Sequence, residues 1–217
     1  MAEFNKIYLI WRQGAGQGRE IVGTLEKKAN GKGVFSYTPE VEQLTKKGFT
    51  PYVEFKDLHK SYNGNVIEIF GQRLTKGDRP DIRRFYDFWE VDTAQADDQF
   101  YLLGKTQGLV PTDNFEFLAE YHMQPGVHFL TEIAGLSITK MPKGAVQNGD
   151  VLRFELEPSN TVDPSAVKVF KGDLHIGYIK KVHSRIFHEK GGDALKLTVK
   201  ALEQNGVIKR IFVKVFA

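Results

Sequence analysis

Two segments near the N-terminus, residues 6–11 and 19–28, are apolar and rich in β-branched side chains, which is typical of β-strands. The glycine-dense segment 13–18 predicts a hairpin loop, and the segment 29–33, with the sequence ANGKG, predicts a turn. The predicted strands cover residues 6–11, 19–28, 34–37 and 51–58. We therefore expect the chain to begin with an antiparallel sheet.

Past residue 65 the apolar spacing changes to the three or four residues of a helix. Residues 66–74 predict one short helix, and residues 82–89 predict a second helix for which residues 78–80 provide the start signal. Residues 100–121 are apolar and punctuated by glycine, and they predict no single element. The clearest boundary follows at residues 123–126, with the sequence MQPG.

Beyond this boundary the pattern predicts strands and a single short helix, which is marked by Val182 and Ile186. The pair Asn205 and Gly206 predicts a hairpin. The predicted strands cover residues 127–136, 151–156, 166–170, 175–179, 195–200 and 208–216. Short strands around one helix suit a small barrel.

The predicted fold is of the α+β class and mostly β. Residues 1–122 should form an antiparallel sheet with short helices, and residues 123–217 should form a small OB-like or SH3-like β-barrel with one short helix. A length of 217 residues leaves enough chain for two such cores.

Composition narrows the range of chemistry. The chain has no cysteine, which excludes disulfides, thiolate nucleophiles and cysteine-ligated zinc. No apolar run approaches the roughly 20 residues of a membrane helix, and the first residues do not resemble a signal peptide. We therefore expect a soluble, cytoplasmic protein with no membrane partner.

The net charge of +3 conceals a difference between the two predicted domains. Residues 1–122 contain 16 Lys and Arg against 18 Asp and Glu, a net charge of −2. Residues 123–217 contain 14 against 9, a net charge of +5. A polyanionic partner should therefore prefer the second domain.

Three motifs occur in order in the second domain: IAGL at residues 133–136, EPSNTVDPSAVKV at residues 157–169 and IGYI at residues 176–179. Together they resemble the HIRAN family, and the resemblance covers residues 127–217. It implies an OB-like barrel that binds single-stranded DNA and holds its 3′-hydroxyl end. The DNA-binding residues that it implies are Asn160, Asp163, Tyr178 and Lys181.

The chemistry of these residues fits that ligand. The carboxylate of Asp163 can accept a hydrogen bond from a hydroxyl and repels a phosphate. Lys180 and Lys181 lie at the start of the predicted helix and Arg185 lies one turn further, which predicts a phosphate cradle. Asp163 followed by proline is also ordinary turn chemistry, so a purely structural role remains open.

The chain departs from the family after its first motif. Ser137, Ile138 and Thr139 stand where the DNA-binding members have an arginine and two aromatic residues, and Thr161 and Val162 replace a proline and an aromatic residue. Ser137 is retained as a candidate DNA contact by its position. Aromatic stacking contributes about 1–3 kcal/mol per base, so the usual platform for the bases is missing.

The first domain resembles the N-terminal subdomain of HipA-type toxin kinases over residues 5–92. The resemblance is carried by IVGTL at residues 21–25, FSY at residues 35–37 and the helix predicted at residues 66–74. It implies a partner role beside a separate kinase, because no kinase core follows in the sequence.

Other motifs predict no enzymatic site. The glycines of residues 13–18 join two antiparallel strands, whereas a dinucleotide loop leads from a strand into a helix. Residues 104–106, with the sequence GKT, lack the upstream glycine of a phosphate loop and the helix that should follow. His175, His183 and His188 are expected to be solvated rather than to bind metal. We expect no cofactor and no metal.

Two functions remain as hypotheses. The first is a non-enzymatic DNA-binding protein whose barrel contacts single-stranded DNA or DNA ends and whose first domain contacts a helicase or nuclease. The second is an antitoxin-like regulator of a separate HipA-like kinase.

Overall fold

The computed structural model of the chain describes residues 3–14, 17–139, 141–142, 144–205 and 207–217. The chain divides into two compact units, Met1–Glu120 and Tyr121–Ala217. Ala15, Gly16 and Gly206, which belong to predicted hairpin loops, lie outside the described residues.

The first unit is built on a five-stranded antiparallel sheet. Its strands are β1 (Lys6–Arg12), β2 (Arg19–Lys27), β3 (Gly33–Tyr37), β4 (Tyr62–Gly64) and β5 (Phe115–Ala119), in the spatial order β4-β3-β2-β1-β5. The interior of β1 is buried on both faces, and its two edges pair with β2 and β5, so the strand lies inside the sheet. Its unbroken apolar run reflects that central position.

Four short helices accompany the sheet: α1 (Val41–Thr45), α2 (Val66–Gly71), α3 (Ile82–Trp89) and α4 (Gln99–Thr106). The two predicted helices are confirmed as α2 and α3. The sequence pattern did not predict α1, α4 or β5. Asp98 begins α4 by accepting hydrogen bonds from the N–H groups of Phe100 and Tyr101.

The predicted strand at residues 51–58 is wrong. The N–H of Phe55 donates to the carbonyl of Tyr52 across 2.8 Å, so the chain turns there. The turn brings both rings to within 4.9 Å of the ring of Phe70, measured between centroids, while Val53 is 72% exposed. Residues three apart share one side in a turn but not in a strand. The fourth strand is β4, which pairs with β3.

The second unit is a closed barrel of six antiparallel strands. They are β6 (His128–Ala134), β7 (Val151–Leu156), β8 (Val167–Lys171), β9 (Leu174–Ile179), β10 (Lys196–Asn205) and β11 (Val207–Phe216), in the order β10-β11-β6-β9-β8-β7. The short pairing of β7 with β10 closes the barrel. The predicted helix is α5 (Lys181–Ser184), which continues into a 3-10 turn, Arg185–His188.

The predicted fold class is therefore confirmed: the protein is mostly β, with an N-terminal antiparallel sheet, short helices and a C-terminal barrel. Alternation explains the barrel core, since Val167, Val169, Ile176, Val213 and Val215 are fully buried. No helix among the described residues is long and apolar enough to cross a membrane.

Candidate nucleic-acid interface

The loop between β7 and β8 is shaped by its own side chains. The Oδ1 atom of Asn160 accepts hydrogen bonds from the N–H groups of Val162 (2.9 Å) and Asp163 (3.0 Å). The Oδ1 atom of Asp163 accepts from the N–H of Ser165 across 3.0 Å. The N–H of Glu157 donates to the carbonyl of Ala166 and closes the loop at its base. Asn160 and Asp163 therefore both have a structural role.

Glu157 joins this loop to the outer surface of the barrel. One of its carboxylate oxygens accepts from Asn160 Nδ2 across 2.7 Å, and the other lies 2.5 Å from Lys168 Nζ. The ring of Tyr178 is close enough to feel the charge of the same carboxylate. Hydrogen bonds from Lys168 and Asn160 lower the pKa of Glu157, while burial and the nearby Glu157 charge raise the pKa of Tyr178.

The strand pairing explains how Tyr178 reaches this position. On β9, Tyr178 lies opposite Lys168 of β8 on one side and opposite Ala134 of β6 on the other. The chain leaves β6 directly after Ala134, and the exposed Ser137 follows in a 3-10 turn. Contacts and pairing thus bring together Asn160, Asp163 and Tyr178, with Ser137 three residues beyond the strand partner of Tyr178.

Lys180 does not belong to this surface. Its side chain is fully buried, and its Nζ atom lies 3.4 Å from Glu132, which also contacts Arg210 at 3.1 Å. The expected phosphate cradle is therefore corrected: Lys180 is removed from it, and Lys181 and Arg185 remain. A buried ammonium needs a paired carboxylate, and Glu132 provides one.

Lys181 and Arg185 remain candidates for phosphate contact. Lys181 is exposed and Arg185 is partly exposed. The turn that carries Arg185 contacts the loop between β7 and β8, which we call the Asp163 loop. In this contact His188 Nε2 lies 3.2 Å from the carbonyl oxygen of Ser165. With a helix of only four residues, the attraction for phosphate must come from the side-chain charges rather than from the helix end.

The other tempting motifs have structural explanations. The loop at residues 13–18 joins the antiparallel strands β1 and β2. Lys105 of the GKT sequence is buried at the end of α4, with its Nζ atom 3.0 Å from Glu3. The expectation that His183 is solvated is wrong, because His183 is buried with Nδ1 2.8 Å from Thr131 Oγ1. Among the described residues, no group of three or more His, Asp or Glu side chains could hold a metal ion.

Comparison with known proteins bears on the barrel. Residues 126–201 match the family model of the HIRAN domain. The chain is also similar to the crystal structure of the HIRAN domain of human HLTF, with 17% identity, coverage of 44% of this chain and 83% of that chain, and a TM-score of 0.34. No curated protein matches the chain.

The second unit is thus a small closed β-barrel with a side-chain-organised loop at one surface. The residues that match the HIRAN family model, 126–201, all belong to this unit.

Sequence reasoning missed two residues that organise the candidate site, Glu157 and Lys168. Glu157 stands inside the quoted EPSN motif, so its acidic side chain beside Asn160 was a usable signal. Lys168 alternates with the buried Val167 and Val169, which placed it on the outer face. Their pairing depends on two strands meeting, and this is not visible in a linear pattern.

Proposed function

We propose that the protein is a DNA-binding protein without a catalytic site of its own, whose barrel contacts single-stranded DNA at a 3′-hydroxyl end. The HIRAN match over residues 126–201 supports this ligand class. The observation that carries the proposal is the state of the Asp163 carboxylate. Its Oδ1 atom is used by the loop, while its Oδ2 atom makes no hydrogen bond to any part of the chain that the structure describes.

The chemistry of this carboxylate distinguishes two kinds of DNA end. An ionised carboxylate only accepts hydrogen bonds, so it binds a terminal hydroxyl and repels a terminal phosphate. Lys181 and Arg185 would attract the internal phosphates of the strand, which gives affinity without sequence preference.

The test compares two labelled oligonucleotides of one sequence, ending in a 3′-hydroxyl or a 3′-phosphate, by anisotropy titration with the full chain. A hydrogen bond to a charged acceptor contributes about 1.5–3 kcal/mol, so the hydroxyl end should bind at least about tenfold more tightly. Asp163→Asn should remove this preference while keeping the bond to the Ser165 N–H. Asp193→Asn, at an exposed carboxylate of the same unit, is the matched control and should keep the preference.

The phosphate contacts are tested with Lys181→Ala combined with Arg185→Ala. Both oligonucleotides should lose affinity alike, and the dependence of affinity on salt should become shallower. Lys209→Ala, at an exposed lysine of β11, should leave both quantities unchanged. Equal affinity of the wild-type protein for the two ends would reduce Asp163 to a turn residue and overturn end recognition.

For the first unit we propose a protein contact. Ile82, Phe85 and Phe88 follow one another at a spacing of three along α3 and are each partly exposed. Apolar residues on one face of a helix suit docking into a groove of another protein. The candidate partners are a helicase, a nuclease or a separate HipA-like kinase. Size-exclusion chromatography of the chain mixed with each candidate partner in turn would detect a complex, and Phe85→Ser should weaken that complex.

A further inference from the structure

Three aromatic rings form a continuous row on the outer face of β8 and β9. The centroid of Phe170 lies 5.3 Å from that of His175, and the centroid of His175 lies 5.0 Å from that of Tyr178. All three side chains are partly exposed. The row therefore presents ring surface to solvent beside the candidate site, in which Tyr178 already takes part.

An irregularity in strand pairing creates this row. His175 and Tyr178 are three residues apart, so strict alternation would place them on opposite faces of β9. The register between β8 and β9 shifts between Val169 and Phe170, while Ile176 stays fully buried. The shift brings His175 and Tyr178 to the same outer face.

Arg153 of β7 extends the row at the end away from Tyr178. Its guanidinium carbon lies 4.0 Å from the centroid of Phe170, and its Nε atom donates to the carbonyl of Gly172 across 2.9 Å. A guanidinium over a ring adds a further planar group, on which a base can also stack.

The cations on this face are balanced by carboxylates. Arg153 pairs with Glu155, and Lys168 pairs with Glu157. Lys171 pairs with Asp150 at 2.6 Å. Arg153 and Lys168, which lie beside the rings, are therefore each paired with a carboxylate, which suits the bases of a nucleic acid better than its phosphates.

We propose that Phe170, His175 and Tyr178 form a platform on which the unpaired bases of a single strand stack as the strand leaves the Asp163 loop. Tyr178 lies opposite Lys168 in the strand pairing, and Lys168 and Asn160 both contact Glu157, which connects this platform to the loop. The inference rests on the proposed function, because the platform would bind the bases of the same strand whose 3′ end the Asp163 loop holds.

The test again uses the full chain and a 3′-hydroxyl oligonucleotide, beside a second oligonucleotide in which three internal nucleotides near that end lack their bases. Phe170→Leu combined with His175→Leu keeps apolar volume but removes the stacking surfaces. The double variant should weaken binding of the intact strand by about tenfold or more. The wild-type protein should bind the abasic strand more weakly than the intact strand. The double variant should bind the abasic strand almost as well as the wild-type protein does.

Phe216→Leu is the matched control, because Phe216 is a partly exposed aromatic residue on a different strand, β11. It should leave the affinity for both strands unchanged. If the double variant does not fold, Phe170→Leu and His175→Leu are tested separately, and each should weaken binding of the intact strand more than binding of the abasic strand.

The two proposals fail in different ways. A preference for the 3′-hydroxyl without any effect of base removal would overturn the platform and keep end recognition. An effect of base removal and of the double variant without end preference would keep the platform and overturn end recognition. A face that binds protein instead of DNA would leave the affinity for both strands unaltered by the double variant, and this result would also overturn the platform.

Discussion

At the scale of single residues, the pair of Arg73 and Asp113 connects the residues that follow α2 to the residues that precede β5 in the first unit. The two guanidinium Nη atoms lie 2.6 and 2.8 Å from the two carboxylate oxygens, and Nε donates to the carbonyl of Gly108. The Arg73 side chain is only 5% exposed. A buried guanidinium without its carboxylate carries an uncompensated charge.

We therefore expect Asp113→Asn to lower the free energy of unfolding by about 3 kcal/mol, measured by urea denaturation of the full chain. Asp81→Asn is the matched control, because Asp81 also pairs with an arginine, Arg79, but that pair is exposed and should contribute little. Equal effects of the two substitutions would contradict this account.

The same pair predicts a dependence on pH. Burial opposes ionisation of Asp113, but hydrogen bonds from Arg73 and from the Phe115 N–H outweigh it and lower the pKa below the usual 3.8. A carboxyl group whose pKa is lowered by folding stabilises the fold at any pH above its usual pKa. This stabilisation is lost as the pH falls through the pKa of the folded state. The difference between wild type and Asp113→Asn should therefore shrink in acid.

At the scale of elements, Gly177 allows β9 to approach β6. Its φ of +138° is a backbone angle that residues with a side chain rarely adopt. A Cβ atom there would also lie 2.4 Å from the carbonyl oxygen of Ala134. Gly177→Ala should therefore destabilise the barrel by about 2 kcal/mol or more, measured as a lower midpoint of thermal unfolding.

The control is Gly172→Ala in the turn between β8 and β9. Gly172 also has a positive φ, of +57°, but a Cβ atom there would meet nothing within 4 Å. This change should cost only the backbone strain of about 1 kcal/mol. A cost for Gly177→Ala no larger than that of Gly172→Ala would show that the close approach is relaxed easily.

The elements also show what a linear pattern can predict. The strands of the barrel and the helices α2 and α3 were predicted because their periodicity is local. The prediction of a strand at residues 51–58 was wrong because Tyr52 and Phe55 pack with Phe70 in a turn. Apolar spacing over so short a segment fits either conformation.

At the scale of the whole molecule, the second unit should fold by itself, and its starting residue should matter. Tyr121 stacks on Phe129 with ring centroids 4.1 Å apart, and His122 Nδ1 lies 2.6 Å from Glu189. A fragment of residues 121–217 should therefore unfold at a higher temperature than one of residues 123–217. Circular dichroism melts of both would test this, and a 121–217 fragment without a cooperative transition would contradict independent folding.

The sequence by itself determined the mostly β class, the strands of the barrel and the HIRAN motifs, because these depend on residues close together along the chain. Tertiary structure alone decided that Lys180 is buried while its neighbour Lys181 is exposed, since this depends on where Glu132 lies. It also decided that Phe170, His175 and Tyr178 share one face, because a shift in pairing between two strands overrides the alternation within one strand.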